Sequence, residues 1–269
     1  MKHTLKTLEA DGIDWDAVLG MTTQHARILW GTHRGGAPVP LLTAPDANQK
    51  IAKDAAALTW SLSLAPHRDG GTHVCPASTP ACRKHCVSYS GKGRISTVAT
   101  GRRNRTSFLM TQPVAFMRLL VAEIDKAAAK CEKLGVPMGM RLNAFSDVAW
   151  ERVVPWLFDM FPDVQFYDYT KRLDREDMPA NYTLTVSATE RWNTNVTHVR
   201  RAVRDHNVAV IFDTPRTQDL PETHAGILVV DGDKSDLRFN DPDGVIVGLR
   251  AKGSLRTNNS SGFAVKVAR

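Results

Sequence analysis

Two hydrophobic periodicities alternate along most of the chain. The clearest is helical and runs from Pro113 to Gly135. Its apolar residues recur every three or four positions, at Met117, Leu120, Ile124, Ala127, Cys131 and Leu134. This spacing predicts an amphipathic helix with Pro113 in its first turn and Gly135 at its end. Cys131 lies on the apolar stripe, so we expect it to be a packed core residue.

Short apolar runs between polar segments predict strands. These runs lie at 57–66, 137–145, 164–171, 182–189, 208–214, 225–233 and 244–253. Helical segments separate several of them, at 149–161 with a kink at Pro155 and at 193–207. Alternating strands and helices predict an α/β fold, a partial or irregular (β/α) barrel of parallel strands. We assign 57–269 to a single barrel-like domain and 1–56 to an N-terminal extension or lid.

Composition and charge narrow the class of protein. The chain has 269 residues, 42% of them hydrophobic, and a net charge of +7. No apolar run approaches the roughly 18 residues that span a bilayer, and the N-terminus lacks the apolar core of a secretory signal. We therefore expect a cytoplasmic protein without a membrane partner, in a compartment where clustered cysteines more often bind metals than form disulfides.

The positive charge is concentrated in one part of the chain. Residues 70–122 contain no Asp or Glu and carry eight Lys and Arg residues, most of them within 83–105. Such a segment predicts either attraction to nucleic acid or another polyanion or compensation for thiolates and a negatively charged cluster.

Three of the four cysteines lie within twelve residues, in the segment CPASTPACRKHC with the pattern Cys75-x6-Cys82-x3-Cys86. Neither gap matches the C-x2-C pairs of zinc ribbons. Three thiolates on a loop with one position left open suit a 4Fe–4S cluster. His73 and His85 are candidates for a fourth ligand, and zinc bound by three Cys and one His is the alternative. The loop is predicted to follow the first barrel strand.

Polar residues cluster where the predicted strands end. Carboxyl ends of parallel barrel strands are where such folds place their functional groups. We expect Asn143, Asp147, Tyr169 and Lys171 to orient or ionise a ligand as catalytic residues. The candidate cofactor-binding residues at the same ends are Arg141, Ser146, Ser187 and Asp213.

The order of strand, three-cysteine loop and βα units resembles the radical S-adenosylmethionine enzymes. That resemblance implies a 4Fe–4S cluster and S-adenosylmethionine as a candidate cofactor, although those enzymes use C-x3-C-x2-C spacing. A closer resemblance is to the gene product 88 family of bacteriophages. It is carried by CPASTPACRKHC, RLNAFSDVAWE, FYDYTK and DGDKSDLRFNDPDGVIVGLRAKG. It implies a phage-encoded protein with an iron–sulfur type of cysteine motif, working in the host cytoplasm.

Three functions follow from these features. The first is an iron–sulfur enzyme that acts on a nucleotide, nucleic acid or other anionic substrate. It would receive its electrons from a host electron donor. The second is a zinc-dependent, transglycosylase-like barrel that modifies a nucleobase, with Asp147 and Asp213 as its carboxylate pair. The third is a non-catalytic module that binds nucleic acid or a host factor and carries a structural cluster.

Overall fold

The computed structural model describes residues 2–47 and 56–267; the rest of the predicted N-terminal segment, Met1 and 48–55, lies outside the described residues. Ten helices are placed at α1 (Leu5–Asp11), α2 (Trp15–Gly20), α3 (Thr23–Arg34), α4 (Pro80–Lys84), α5 (Ser96–Thr111), α6 (Pro113–Leu134), α7 (Trp150–Val153), α8 (Trp156–Met160), α9 (Glu190–Thr194) and α10 (Thr197–Ala202). The strands are β1 (Leu42–Thr43), β2 (Leu58–Leu62), β3 (Met138–Arg141), β4 (Val164–Thr170), β5 (Tyr182–Ser187), β6 (Val208–Phe212), β7 (Thr223–His224), β8 (Ile227–Asp231) and β9 (Ile246–Arg250).

The strands form one mostly parallel sheet in the order β1-β2-β3-β4-β5-β6-β9-β8-β7. From β2 to β6 each strand lies beside the next one in the chain, in parallel. Antiparallel pairs occur at both ends, β1 with β2 and β7 with β8. The mixed α/β class is confirmed. Within the described part of the chain, however, the sheet remains open between its edges β1 and β7 and does not close into a barrel.

The two faces of the sheet differ in chemistry. Trp60, Met140 and Phe166 belong to a large apolar core that also contains residues of α6. The opposite face carries Thr59, Gly139 and Tyr167, and the Tyr167 hydroxyl donates to Thr59 Oγ1 at 3.3 Å. Leu237 and Phe239, from the connection between β8 and β9, pack over Tyr167. One face therefore stabilises the fold, while the other is polar at its carboxyl edge.

Helix α6 confirms the pattern read from its sequence. It begins at Pro113 and ends at Leu134, and Gly135 caps it in the left-handed conformation with φ of 65°. A left-handed C-cap favours glycine because glycine has no Cβ to clash. Cys131 is 3% exposed within the main core, as predicted.

Several elements differ from the sequence-based expectation. The predicted helix at 193–207 is two short helices, α9 and α10, and the helix at 149–161 divides into α7 and α8 at Pro155. Helices α1, α2, α3 and α5 were not predicted. The first three pack on α7 and α6, and each begins with a side-chain cap, from Thr4, Asp14 and Thr22. Short polar helices of this kind depend on caps and tertiary contacts rather than on an apolar stripe. No helix in the described ranges is both long and apolar enough to cross a bilayer.

Candidate cluster- and ligand-binding cavity

A cavity of about 940 Å³ opens at the carboxyl ends of strands β2 to β6 and of β9. Ten of the eleven candidate site residues line it: Cys75, Cys82, Cys86, Arg141, Asn143, Ser146, Asp147, Tyr169, Lys171 and Ser187. Asp213 does not line it. Its backbone N–H donates to the carbonyl of Val265 at 2.8 Å, so the segment after β6 turns toward the C-terminal residues instead. The proposed carboxylate pair of Asp147 and Asp213 is therefore not assembled in this cavity.

Cys75 is held by the loop that follows β2. Its Sγ accepts from the backbone N–H of His67 at 3.2 Å and donates to the carbonyl of Phe145 at 3.4 Å. The neighbouring residue Val74 accepts from the Asp147 N–H at 2.8 Å. Cys75 is thus fixed by the loop after β3 as well as by its own loop.

Cys82 and Cys86 are placed by a short helix rather than by an irregular loop. Thr79 begins α4 by accepting from the Cys82 N–H at 3.2 Å, and Pro80 occupies the first helical turn. The Thr79 hydroxyl also donates to Glu190 Oε2 at 2.6 Å, which ties α4 to α9. Cys86 follows α4 and its Sγ lies 3.2 Å from Ser88 Oγ. The cysteine segment is therefore partly helical.

The three thiols are electrostatically coupled. Burial raises the pKa of Cys75 to about 12; the His67 N–H opposes the rise, and the nearby charges of Asp147, Cys86 and Cys82 add to it. Burial also raises the pKa of Cys82, whereas Lys171 lowers it. Among the residues that the structure describes, no group of three or more His, Cys, Asp or Glu side chains converges closely enough to hold one metal ion. The thiols thus share a cavity without meeting at a point.

Asp147 joins three segments of the cavity wall. Its carboxylate accepts from Thr170 Oγ1 at 2.7 Å and from the Lys171 N–H at 2.9 Å. Its own N–H is bound to Val74, beside Cys75. Burial raises the pKa of Asp147, while these donors and Arg175 oppose the rise. Asp147 therefore positions the cysteine loop against the end of β4, and both of its carboxylate oxygens are engaged.

Lys171 presents an amine to the cavity. Its Nζ donates to Ser187 Oγ at 2.5 Å, which links the ends of β4 and β5. The same Nζ lies 5.7 Å from the centroid of the Phe263 ring, within cation–π range. The amine is half-buried, so it is oriented by the protein while remaining accessible to a ligand.

Asn143 lines the cavity and is bound to an acid, Asp168, that the sequence did not point to. Its N–H donates to Asp168 Oδ1 at 2.9 Å, and its Oδ1 accepts from Ser146 Oγ and the Val148 N–H. Tyr182 donates to the other Asp168 oxygen at 2.8 Å. Burial raises the pKa of Asp168 to about 6. Asn143 thus connects the turn after β3 to the buried carboxylate of Asp168 while lining the cavity.

Arg141 and Tyr169 form the floor of the cavity. The guanidinium lies over the rings of Tyr167 and Tyr169, at 5.7 and 5.4 Å from their centroids. Its Nη1 donates to Asp236 Oδ2 at 2.9 Å, and its Nε has no hydrogen-bond partner. Burial raises the pKa of Tyr169 to about 12, so its phenol stays neutral near pH 7.

The two candidate histidine ligands differ in their surroundings. His85 is buried; its Nδ1 lies 3.0 Å from Ser254 Oγ and its Nε2 has no hydrogen-bond partner. His85 lines the cavity, whereas His73 lines a neighbouring cleft and packs edge-on against His67. Of the two candidate ligands, His85 therefore shares a cavity with all three thiols, and His67, which was not predicted as a ligand, lines the same cavity.

The basic segment is divided between exposed and buried positions. Lys84, Lys92, Arg94 and Arg103 are exposed, whereas Arg102 is 1% exposed and lines the cavity. Arg103 forms an ion pair with Asp69, with 2.9 Å between Nε and Oδ1. Asp69 directly precedes residues 70–122, which contain no Asp or Glu. The segment is therefore not a uniform basic face. In the sequence Arg102 is one of the eight positive charges of residues 70–122, and no hydrophobic periodicity there predicted that its side chain is buried.

Comparisons with known proteins give one match. A family model described as gene product 88 matches residues 41–267, which contain all nine strands and every residue of the cavity. No curated protein and no solved structure matches the chain. The comparisons do not support a relationship to the radical S-adenosylmethionine enzymes.

Proposed function

The chain belongs to the gene product 88 family of bacteriophage proteins, and we propose that it is an iron–sulfur protein whose cavity holds a 4Fe–4S cluster on Cys75, Cys82 and Cys86. The observation that carries this proposal is that the cysteines occupy two different environments. Three of the four line one cavity, while Cys131 is packed in the apolar core.

The donor set fits a cluster in two respects. A tetrahedral zinc ion draws its thiolates to about 2.3 Å from one point, and the described thiols do not converge in that way. A cluster is a larger body whose irons are ligated at separate corners. The cavity also contains cationic groups, among them Lys171 and Arg102, that offset the charge of three thiolates.

The raised pKa of Cys75 supports ligation over nucleophilic catalysis. A thiol with a pKa of about 12 is almost entirely protonated near pH 7, and the thiolate is the nucleophile. A bound metal displaces that proton, and its positive charge stabilises the thiolate that burial disfavours. Cys75 is therefore a poor nucleophile by itself and a suitable ligand.

A bound cluster supplies electron transfer and an iron that is not held by cysteine. Around it, this chain's own residues form an anion-binding wall, from Lys171 at the end of β4 to Arg141 on the floor. Lys171 is held by Ser187 toward the cavity, and the neutral phenol of Tyr169 lies beside Arg141. We propose an enzyme that acts on an anionic substrate, a nucleotide or nucleic acid, with a host electron donor as its partner.

The test is quantification of iron, sulfide and zinc in protein purified and reconstituted without oxygen. We expect about four irons and four sulfides per chain and a broad absorption band at about 400 nm. Cys75→Ala, Cys82→Ala and Cys86→Ala should each lose cluster, and Cys131→Ala should retain it. One zinc and no sulfide would overturn the proposal in favour of the zinc-dependent alternative. A full cluster with no turnover of nucleotides or nucleic acids would favour the binding module.

A further inference from the structure

Arg102 is a buried cation with unused hydrogen-bonding capacity. Its Nη2 donates to the carbonyl of Gly93 at 2.9 Å and to that of Ser88 at 3.3 Å. Its Nε and Nη1 are buried and have no hydrogen-bond partner. Burying a charged donor without a partner costs free energy, so an oxyanion that accepts from these groups would recover part of that cost.

The protein does not complete Arg102 with a carboxylate. The nearby acid Asp69 accepts from Nε of Arg103 at 2.9 Å, on the exposed side of α5. Cys86 and Tyr89 are near enough to act on the charge of Arg102, and the Phe145 ring also lies beside its guanidinium, with the ring centroid 5.4 Å from Cζ. The ring offers a π-face and no oxygen. Arg102 lines the cavity, and its two unused N–H groups lie beneath the cavity surface, covered from solvent.

A glycine-rich basic turn lies against the same wall. Residues Gly91–Arg94 form a 3₁₀ helix, and Gly91, Lys92 and Gly93 all line the cavity. A Cβ on Gly93 would approach the Ser88 carbonyl oxygen to 2.3 Å, so only glycine permits this close turn. The turn places the exposed amine of Lys92 on the cavity that Arg102 faces, next to the Cys86–Ser88 segment.

We propose that Arg102 and Lys92 form a subsite for the phosphate group of a phosphorylated, nucleotide-sized ligand. A guanidinium with two free N–H groups binds an oxyanion in bidentate fashion, and a lysine adds a point charge suited to a dianion. Phe145 provides an apolar surface beside the phosphate. This inference rests on the proposed function, because it names the substrate class of the same cavity.

The test is calorimetric titration of the full-length protein, in its iron-free form and after cluster reconstitution. The probes are inorganic phosphate, adenosine monophosphate and adenosine. We expect one phosphate site per chain in both forms, and adenosine monophosphate should bind at least about tenfold more tightly than adenosine. Binding to iron-free protein makes the result independent of the cluster. A cluster without phosphate binding would refute only this inference, and phosphate binding without a cluster would refute only the iron–sulfur proposal.

Two matched pairs of variants locate the subsite. Arg102→Gln should weaken phosphate binding at least about tenfold, whereas the adjacent Arg103→Gln should change it by less than about twofold. Because Arg102 also supports Ser88 and Gly93, a second pair avoids the risk of misfolding. The exposed Lys92→Ala should weaken binding by roughly fivefold, and Arg94→Ala, which lies outside the cavity lining, should leave it unchanged.

Two outcomes would overturn the proposal. The first is an equal loss in all four variants together with a steep fall in affinity between about 0.05 and about 0.3 M KCl, which indicates diffuse attraction to a basic surface. The second is equal affinity for adenosine and adenosine monophosphate, which indicates that the cavity recognises the base and sugar without a phosphate subsite.

Discussion

Glu151 and Arg175 form a bidentate ion pair in the protein interior. Arg175 Nε lies 2.9 Å from Oε1 and Nη2 lies 2.5 Å from Oε2, with the two side chains 4% and 1% exposed, respectively. Arg175 Nη2 also donates to the Tyr182 hydroxyl at 3.1 Å, which in turn donates to Asp168. The pair therefore anchors the polar network beneath the cavity.

Removing one member of this pair should destabilise the fold strongly. Glu151→Gln leaves the buried guanidinium of Arg175 with the more distant Asp147, at 3.7 Å, in place of its hydrogen-bonded carboxylate, and breaking a buried pair in this way costs about 3–5 kcal/mol. The adjacent Arg152→Gln is the control, because it removes an exposed pair with Asp174 that contributes at most about 1 kcal/mol. Urea unfolding followed by circular dichroism measures both. Equal losses in the two variants would contradict the role assigned to Glu151.

Asp168 should make stability depend on pH in an unusual direction. Its folded pKa of about 6 exceeds the unfolded value near 4, so between these values the folded state keeps a proton that the unfolded state has lost. Its contribution to stability is full below about pH 4, falls as the pH rises toward about 6 and stays low above that. Relative to Asp168→Asn, the wild type should lose roughly 3 kcal/mol between pH 4 and pH 7. Parallel urea-unfolding profiles of the two proteins across this range would refute the assignment.

The thiol of Cys75 should be unreactive in iron-free, reduced protein. With a pKa of about 12, its thiolate fraction at pH 8 is on the order of a thousandfold below that of a free cysteine. Iodoacetamide labelling followed by peptide mass spectrometry should show slow modification that accelerates with every rise in pH. Rapid labelling at pH 8 would mean that Cys75 is a poised nucleophile, and it would weaken the case for a ligand role.

The cap of α4 should control how firmly the cluster is held. Thr79→Ala removes the oxygen that accepts from the Cys82 N–H and the hydroxyl that binds Glu190. Loss of such a cap costs about 1 kcal/mol. Reconstituted Thr79→Ala protein should therefore release iron to a chelator several-fold faster than the wild type, and Thr79→Ser should not. Unchanged release in Thr79→Ala would show that α4 does not position Cys82.

Gly139 should be required by the close packing of β3 against its neighbours. A Cβ at this position would lie 2.4 Å from Thr59 Oγ1 and 3.3 Å from Tyr167 Cε1. Gly139→Ala should cost about 1–3 kcal/mol in unfolding experiments, and adding Thr59→Ala should recover part of the loss. The control is Gly20→Ala in α2, where no atom lies within 4 Å of the new Cβ and no loss is expected.

The sequence by itself determined the local features of this protein. Helix α6 was readable because its apolar stripe and its Pro and Gly ends are encoded within 23 residues. The parallel strands were readable because each is a short apolar run between polar ends. Local sequence also separated the cysteines. Three of them, Cys75, Cys82 and Cys86, lie within twelve residues, and Cys131 lies on the apolar stripe of α6. Helices α1 to α3 carried weaker signals, the capping residues Thr4, Asp14 and Thr22.

Tertiary structure alone decided which polar residues face the cavity. Asn143 and Asp147 follow β3 and both line the cavity, but only the structure shows that Asn143 binds Asp168 and that Asp147 binds Thr170 and Val74. Asp213 ends a strand like the others, yet its segment turns toward Val265. Arg102 belongs to a run of arginines, and only the packing of α5 separates it from exposed Arg103. Hydrogen bonds and burial depend on partners far away in the chain, and no local periodicity encodes them.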